Sequence, residues 1–238
     1  MGLEHADAPR ISAREWGQVV RATIRVLRDS NRIEDIHLVS EIMARRRFTE
    51  LLAAERERDP SNEVLRQRPE IDEQSVDFAA LRRLPETTLG GAYVCHLERN
   101  GLDVYRDPVS NRFISDPDVR YLVHRYRQTH DIWHVLMGLG TRGHEEVLVH
   151  AFSLGMLGLP NSAMIVGLGT LKHIVLERRW ALLRNGVREA YRSGKRAAPL
   201  LTVAWEEQWE HSLVAVRERY AIVPTAGEEP RFTQASEK

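Results

Sequence analysis

Cysteine is nearly absent from this chain. One residue of 238, Cys95, cannot form an internal disulfide framework or a thiolate zinc site, and it reads as a small buried hydrophobe. Net charge is missing too, since 34 basic residues balance 34 acidic ones. No global field draws nucleic acid or anionic lipid, so no nucleic-acid partner is expected. Lysine occurs only at Lys172, Lys195 and Lys238, which leaves the basic charge to arginine. No uninterrupted apolar run reaches the roughly 18 residues of a membrane span. The nearest, Leu154 to Leu171, is broken by Pro160, Asn161 and Ser162. The N-terminal residues lack the basic-then-apolar order of a signal peptide, and they are too acidic for a transit peptide. A cytoplasmic protein is expected, peripheral at most, at the inner face of the cell membrane.

What is present is helical periodicity. Trp16, Val19, Val20, Ile24 and Leu27 recur at three- and four-residue spacing, and so do Ile36, Val39, Ile42 and Met43. Phe48, Leu51 and Leu52 continue the pattern until Asp59-Pro60 stops it. Thr88-Leu89-Gly90-Gly91 enters a helix that Asn100-Gly101 ends. Residues 102–114 form a polar connection with room for one short strand. Asp116-Pro117 is a strong helix start, and that helix runs to about Met137 before Gly138, Gly140 and Gly143 break it. Further helices are expected over 144–158, 161–183, 186–193 and 200–220. The fold class is all-α. One helical domain over 11–224, of about eight to ten helices with a metal-binding helical hairpin, lies between flexible ends at 1–10 and 225–238.

Ten histidines are the compositional feature with chemical potential. His130-Asp131-Ile132-Trp133-His134 lies within the strongest helix. At 3.6 residues per turn His130 and His134 stack on one face, where two imidazoles converge on one metal ion. Asp131 stands toward the rim, as third ligand, orienting group or base. On an unbroken helix Glu146 would lie about 18 Å along the axis from His134. The glycine segment 138–143 allows a hairpin that returns Glu146 to the histidines. His150, one turn further on, would face the same site as ligand or supporting group. Imidazole and carboxylate donors without thiolate suit Zn, Mn, Fe or Co and do not choose among them. Such a set leaves positions open for substrate, as a catalytic site requires.

His130-Asp131-x-x-His134, followed by eleven residues and Glu146, resembles the signature of the coenzyme-Q-biosynthesis protein 4 family. Leu84-Pro85 with Thr88-Leu89-Gly90 and Tyr93 is similar to an upstream block of that family. Asp116-Pro117, Tyr121 and Arg125-Tyr126-Arg127 resemble a central block, and Gly158-Leu159-Pro160 and Trp205 to Ile222 resemble later ones. The resemblance spans roughly residues 12 to 224. It departs from the family pattern at Glu145, His150 and Ser153. It implies an all-helical fold, a divalent metal at His130, Asp131, His134 and Glu146, and a prenylated aromatic or polyprenyl lipid ligand. It also implies peripheral membrane association, other quinone-biosynthesis proteins as partners, and a homodimer. The implied reaction is oxidative decarboxylation of a prenylated 4-hydroxybenzoate-type ring, with hydroxyl replacing the C1 carboxylate.

Other residues receive roles in that setting. Arg125 and Arg127 are expected to hold a substrate carboxylate, beside Asp131 as a catalytic group. Tyr121, Tyr126 and Met156 are assigned to substrate contact. Arg45-Arg46-Arg47 reads as a solvated face, and Trp205 and Trp209 as core anchors. The glycine-rich stretch 154–171 is either a tightly packed helix pair or an apolar lining for a prenyl chain or membrane. No basic cluster flanks it in sequence. Alternatives to the enzyme are a non-catalytic lipid-binding scaffold, a metal hydrolase, and a related enzyme recruited to another pathway.

Overall fold

The computed structural model describes residues 10–29, 32–104, 112–177 and 180–225, without the side chains of 172–182. The expected flexible ends, apart from Arg10 and Thr225, and most of the 102–114 connection lie outside these residues. The described part of that connection contains no strand. The order is α1 (Ala13–Arg28), α2 (Ile33–Arg58), α3 (Glu63–Gln67), α4 (Phe78–Leu81), α5 (Leu89–Asn100), α6 (Pro117–Met137), α7 (Gly143–Leu157), α8 (Pro160–Glu177), α9 (Trp180–Arg196) and α10 (Leu213–Arg219). A short 3₁₀ turn, Trp205–Glu207, precedes α10.

Local chemistry sets many of these boundaries. Ser12 and Glu15 cap α1 reciprocally. The Asp116 carboxylate accepts from the amides of Asp118 and Val119, with Pro117 in the first turn of α6. Gly101 (φ 61°) ends α5, and Gly138 (φ 70°) ends α6. The two patterns at 33–43 and 45–58 merge into the single helix α2.

α6 is the central helix. Ile132, Trp133, Leu136 and Met137 are wholly buried in one core that also takes Phe48, Tyr93, Phe152 and Trp205. α7 and α9 cross backbone to backbone. A Cβ on Gly155 would come within 2.2 Å of the Tyr191 carbonyl oxygen, and one on Gly194 within 2.1 Å of that of Phe152. A second cluster, Val19, Ala22, Val39 and Ile42, joins α1 to α2. There Arg45, expected at a solvated face, is buried against Glu15.

The region 200–220 departs from the expected continuous helix. Its backbone is diverted to the start of α5, where the amides of Gly90 and Leu89 donate to the carbonyls of Trp209 (2.8 Å) and His211 (2.9 Å). The Leu213 amide donates to Thr87 (2.8 Å). The first amides of a helix have no partner within it, so this segment caps α5 instead of coiling. Trp209 then stacks on Tyr93, ring centroids 5.5 Å apart. Trp205 and Trp209 are core anchors as expected, although they stand on a 3₁₀ turn and the capping segment rather than on one helix. The break expected at 184–185 is absent, since α9 runs through those residues without interruption.

Candidate metal centre

His130 and His134 stand one turn apart on α6, with Nε2 atoms 3.2 Å apart. The turn at 138–142 brings Glu146 of α7 across from both. Its Oε2 lies 3.4 Å from His130 Nε2, and its Oε1 lies 3.4 Å from His134 Nε2. One ligand atom from each residue falls within 4.8 Å of the others. Donors about 2.0–2.1 Å from a tetrahedral ion stand roughly 3.3 Å apart, so the observed spacings fit a cation among the three. The side chains are 0% exposed at His134, 21% at His130 and 36% at Glu146, so the site opens on one side.

The supporting contacts favour the same role. His134 Nδ1 lies 2.8 Å from the Gly140 carbonyl oxygen. A carbonyl only accepts, so Nδ1 carries the proton and Nε2 presents its lone pair to the site. Glu145 fixes that carbonyl's turn by accepting from the amides of Gly140 (2.9 Å) and Arg142 (3.0 Å). Desolvation opposes charge on Glu146, yet His130 and His134 hold its carboxyl well below the usual range. Desolvation also opposes the His134 imidazolium, but Glu146 and then Asp131 outweigh it and raise its pKa.

Asp131 is outside this group of three. Burial lifts its carboxyl above the ordinary range, with His130 and His134 opposing. His150 lies beside His130, centroids 5.4 Å apart, with Nδ1 3.2 Å from the Ser162 hydroxyl on α8. Burial and then His130 hold its pKa down to about 3.

His96 on α5 also belongs to the cluster, and the sequence does not point to it. It stacks on His134 at 5.4 Å, and burial followed by His134 pulls it down to about 4. It is 34 positions before His130, and no helical spacing links two residues so far apart.

The expected substrate arginines are elsewhere. Arg125 is wholly buried and pairs with both oxygens of Glu206, one at 2.8 Å, while also donating to the Val203 carbonyl (2.9 Å). Five residues turn a helix about 140° past a full circle, which points Arg125 away from His130. Arg127 pairs with Glu41 of α2 at 3.1 Å, both side chains buried. Tyr121 donates to the Pro69 carbonyl (3.1 Å), and Met156 packs at the edge of the core. Of the three residues assigned to substrate contact, Tyr126 alone adjoins the cluster, its ring 6.2 Å from His130.

The model of the family described as "Coenzyme Q (ubiquinone) biosynthesis protein Coq4" matches residues 6–226. The chain belongs to the Coq4 family. A mitochondrial ubiquinone biosynthesis protein COQ4 of Coprinopsis cinerea is 34% identical over 161 residues, covering 67% of this chain and 54% of that protein. The mitochondrial COQ4 homolog of Bos taurus is 32% identical over 179 residues, covering 74% of this chain and 66% of its own length. The chain thus spans little more than half of the Coprinopsis relative. A crystal structure of a Nostoc punctiforme protein named for ubiquinone biosynthesis shares the fold, with a TM-score of 0.66 and 22% identity. It covers 86% of this chain and 97% of that one.

Proposed function

We propose that the chain is a metal-dependent enzyme of ubiquinone or related prenylated-quinone biosynthesis. Its substrate is a prenylated 4-hydroxybenzoate-type ring, and its reaction exchanges the C1 carboxylate for hydroxyl. The observation that carries this reading is the convergence of His130, His134 and Glu146 in a chain of the Coq4 family. Carbon dioxide leaves, a hydroxyl arrives, and the ring gives two electrons to an oxidant of the dioxygen class. A divalent cation held by the three residues supplies Lewis acidity toward a ring oxygen.

The chain's own groups do the rest. Asp131, next to His130 in the chain and with its carboxyl raised by burial, is the group assigned to proton transfer to a ring oxygen. His150 and His96 stay neutral and add no competing charge. Tyr126 and Trp133, ring centroids 5.3 Å apart, form an apolar wall that keeps water out. The half-buried side of α8, with Met164, Ile165 and Leu168, gives a prenyl chain an apolar surface and favours peripheral association with a membrane. Among the described residues no helix is long and apolar enough to cross one.

The test is native mass spectrometry with a turnover assay on a short-chain prenylated substrate. Wild type is expected to carry one divalent ion, and Glu146→Gln and His134→Ala to lose both ion and turnover. Full metal content and turnover in both variants would falsify the assignment. Lipid binding that outlives lost metal, in a wild type without turnover, would point to a scaffold.

A further inference from the structure

The outer face of α1 carries Trp16, Val20, Ile24 and Leu27, 43–53% exposed, at spacings of four, four and three. They form one stripe on the helix surface. The opposite face, with Val19 and Ala22, already fills the contact with α2. The apolar arc of α1 is therefore wider than the core beneath it requires. Ile33, at the start of α2, adds a further exposed apolar side chain at 60%.

Charge along this stripe is of one sign. Arg14, Arg21 and Arg28 are exposed along one border of it. Among the nearby acids, Glu15 is engaged by Arg45, Asp35 by Arg25 and Arg32, and Glu50 by Arg46 and Arg47, which leaves Arg14, Arg21 and Arg28 as the basic border. At the Trp16 end the stripe opens into a cavity of about 380 Å³, where Arg10 stands beside Trp16, Ile11 and Met43, and Arg46 and Arg47 are paired with Glu50. On its other border α1 meets α8, where Thr23 Oγ1 lies 3.7 Å from Met164 Sδ. The apolar stretch that has no basic neighbours in sequence thus has them in space.

We propose that α1 is an in-plane docking helix that seats this stripe in the surface of an anionic lipid bilayer. Apolar side chains with arginines along one edge match an acyl–headgroup boundary bearing negative charge. An exposed apolar face calls for a partner, and the arginines specify the sign of that partner's charge. α8 joins this face to the metal centre, since Met164 touches α1 and Ser162 touches His150. The proposal rests on the lipophilic substrate above for its purpose, though not for its test.

The full chain is co-sedimented with vesicles of phosphatidylcholine alone or mixed with phosphatidylglycerol, at low and high salt. Wild type is expected to partition about tenfold or more in favour of the anionic vesicles, with the preference shrinking as salt rises. The triple variant Trp16→Ser, Ile24→Ser, Leu27→Ser should lose binding to both vesicles. The triple variant Arg14→Gln, Arg21→Gln, Arg28→Gln should lose the anionic preference alone. All are exposed positions, so circular dichroism should stay unchanged. Equal partition of wild type into both vesicles, or an unaffected serine variant, overturns the proposal. So does a wild-type dimer in sedimentation velocity that the serine variant breaks without any vesicle binding, since the stripe is then a contact between copies of this chain. Glu146→Gln is expected to bind vesicles normally, so loss of docking and loss of the metal reading are separate results.

Discussion

Arg125 and His134 lie nine residues apart on α6, and the fold gives them opposite work. The His134 ring is aimed by its neighbours, with Gly140 taking the Nδ1 proton and Glu145 holding Gly140. Removing such an outer support lowers metal affinity about tenfold to a hundredfold. Glu145→Ala is expected to do so in a metal titration, although its carboxylate never reaches the site. Arg125 is tied to Glu206 and two backbone carbonyls. Breaking a buried pair from one side costs about 3 kcal/mol or more. Arg125→Ala should therefore lower the urea midpoint steeply. A variant with unchanged stability and impaired substrate affinity would restore Arg125 to a binding role.

At the scale of elements, glycine and carboxylate positions make distinct predictions. A Cβ at Gly91 would lie 2.2 Å from the Pro85 carbonyl oxygen, inside the turn that starts α5. Gly91→Ala should destabilise by about 2–3 kcal/mol, as overpacking against backbone does. A Cβ at Gly138 would meet only ordinary contacts, Arg217 at 3.8 Å and Pro224 at 4.0 Å, and the position needs only a positive φ, so Gly138→Ala should cost about 1 kcal/mol. Chemical denaturation of the two side by side checks the order.

α1 is held to α2 partly by carboxylates. The Arg45 hydrogen bond draws Glu15 from 4.5 to about 2, and Arg25 draws Asp35 from 3.8 to about 2. Both folded values lie below the unfolded ones, so this support is complete above about pH 4.5 and fades as pH falls toward 2. Hydrogen exchange should show α1 loosening in that window before α6 does. Equal protection of both helices down to pH 2 would contradict it.

At the scale of the molecule, a cation bound only by the folded state adds stability. The gain is about 2.7 kcal/mol at a hundred times the dissociation constant. Zinc or manganese is expected to raise the melting temperature of wild type, a chelator to reverse it, and Glu146→Gln to show no shift. Much of this was legible in the sequence, because local physics set it. The helix starts at Thr88 and Asp116, the stops at Gly101 and Gly138, and the one-turn pairing of His130 with His134 all depend on residues within a turn or two. The glycine break likewise allowed Glu146 to return. Tertiary structure alone decided that His96 joins the cluster and that Arg125 and Arg127 are tied into ion pairs away from it. It also decided that 208–212 caps α5 and that the apolar stripe of α1 faces outward. The reason is physical: periodicity shows that a helix has an apolar face, but only the packing of distant elements decides what covers that face and which charges meet.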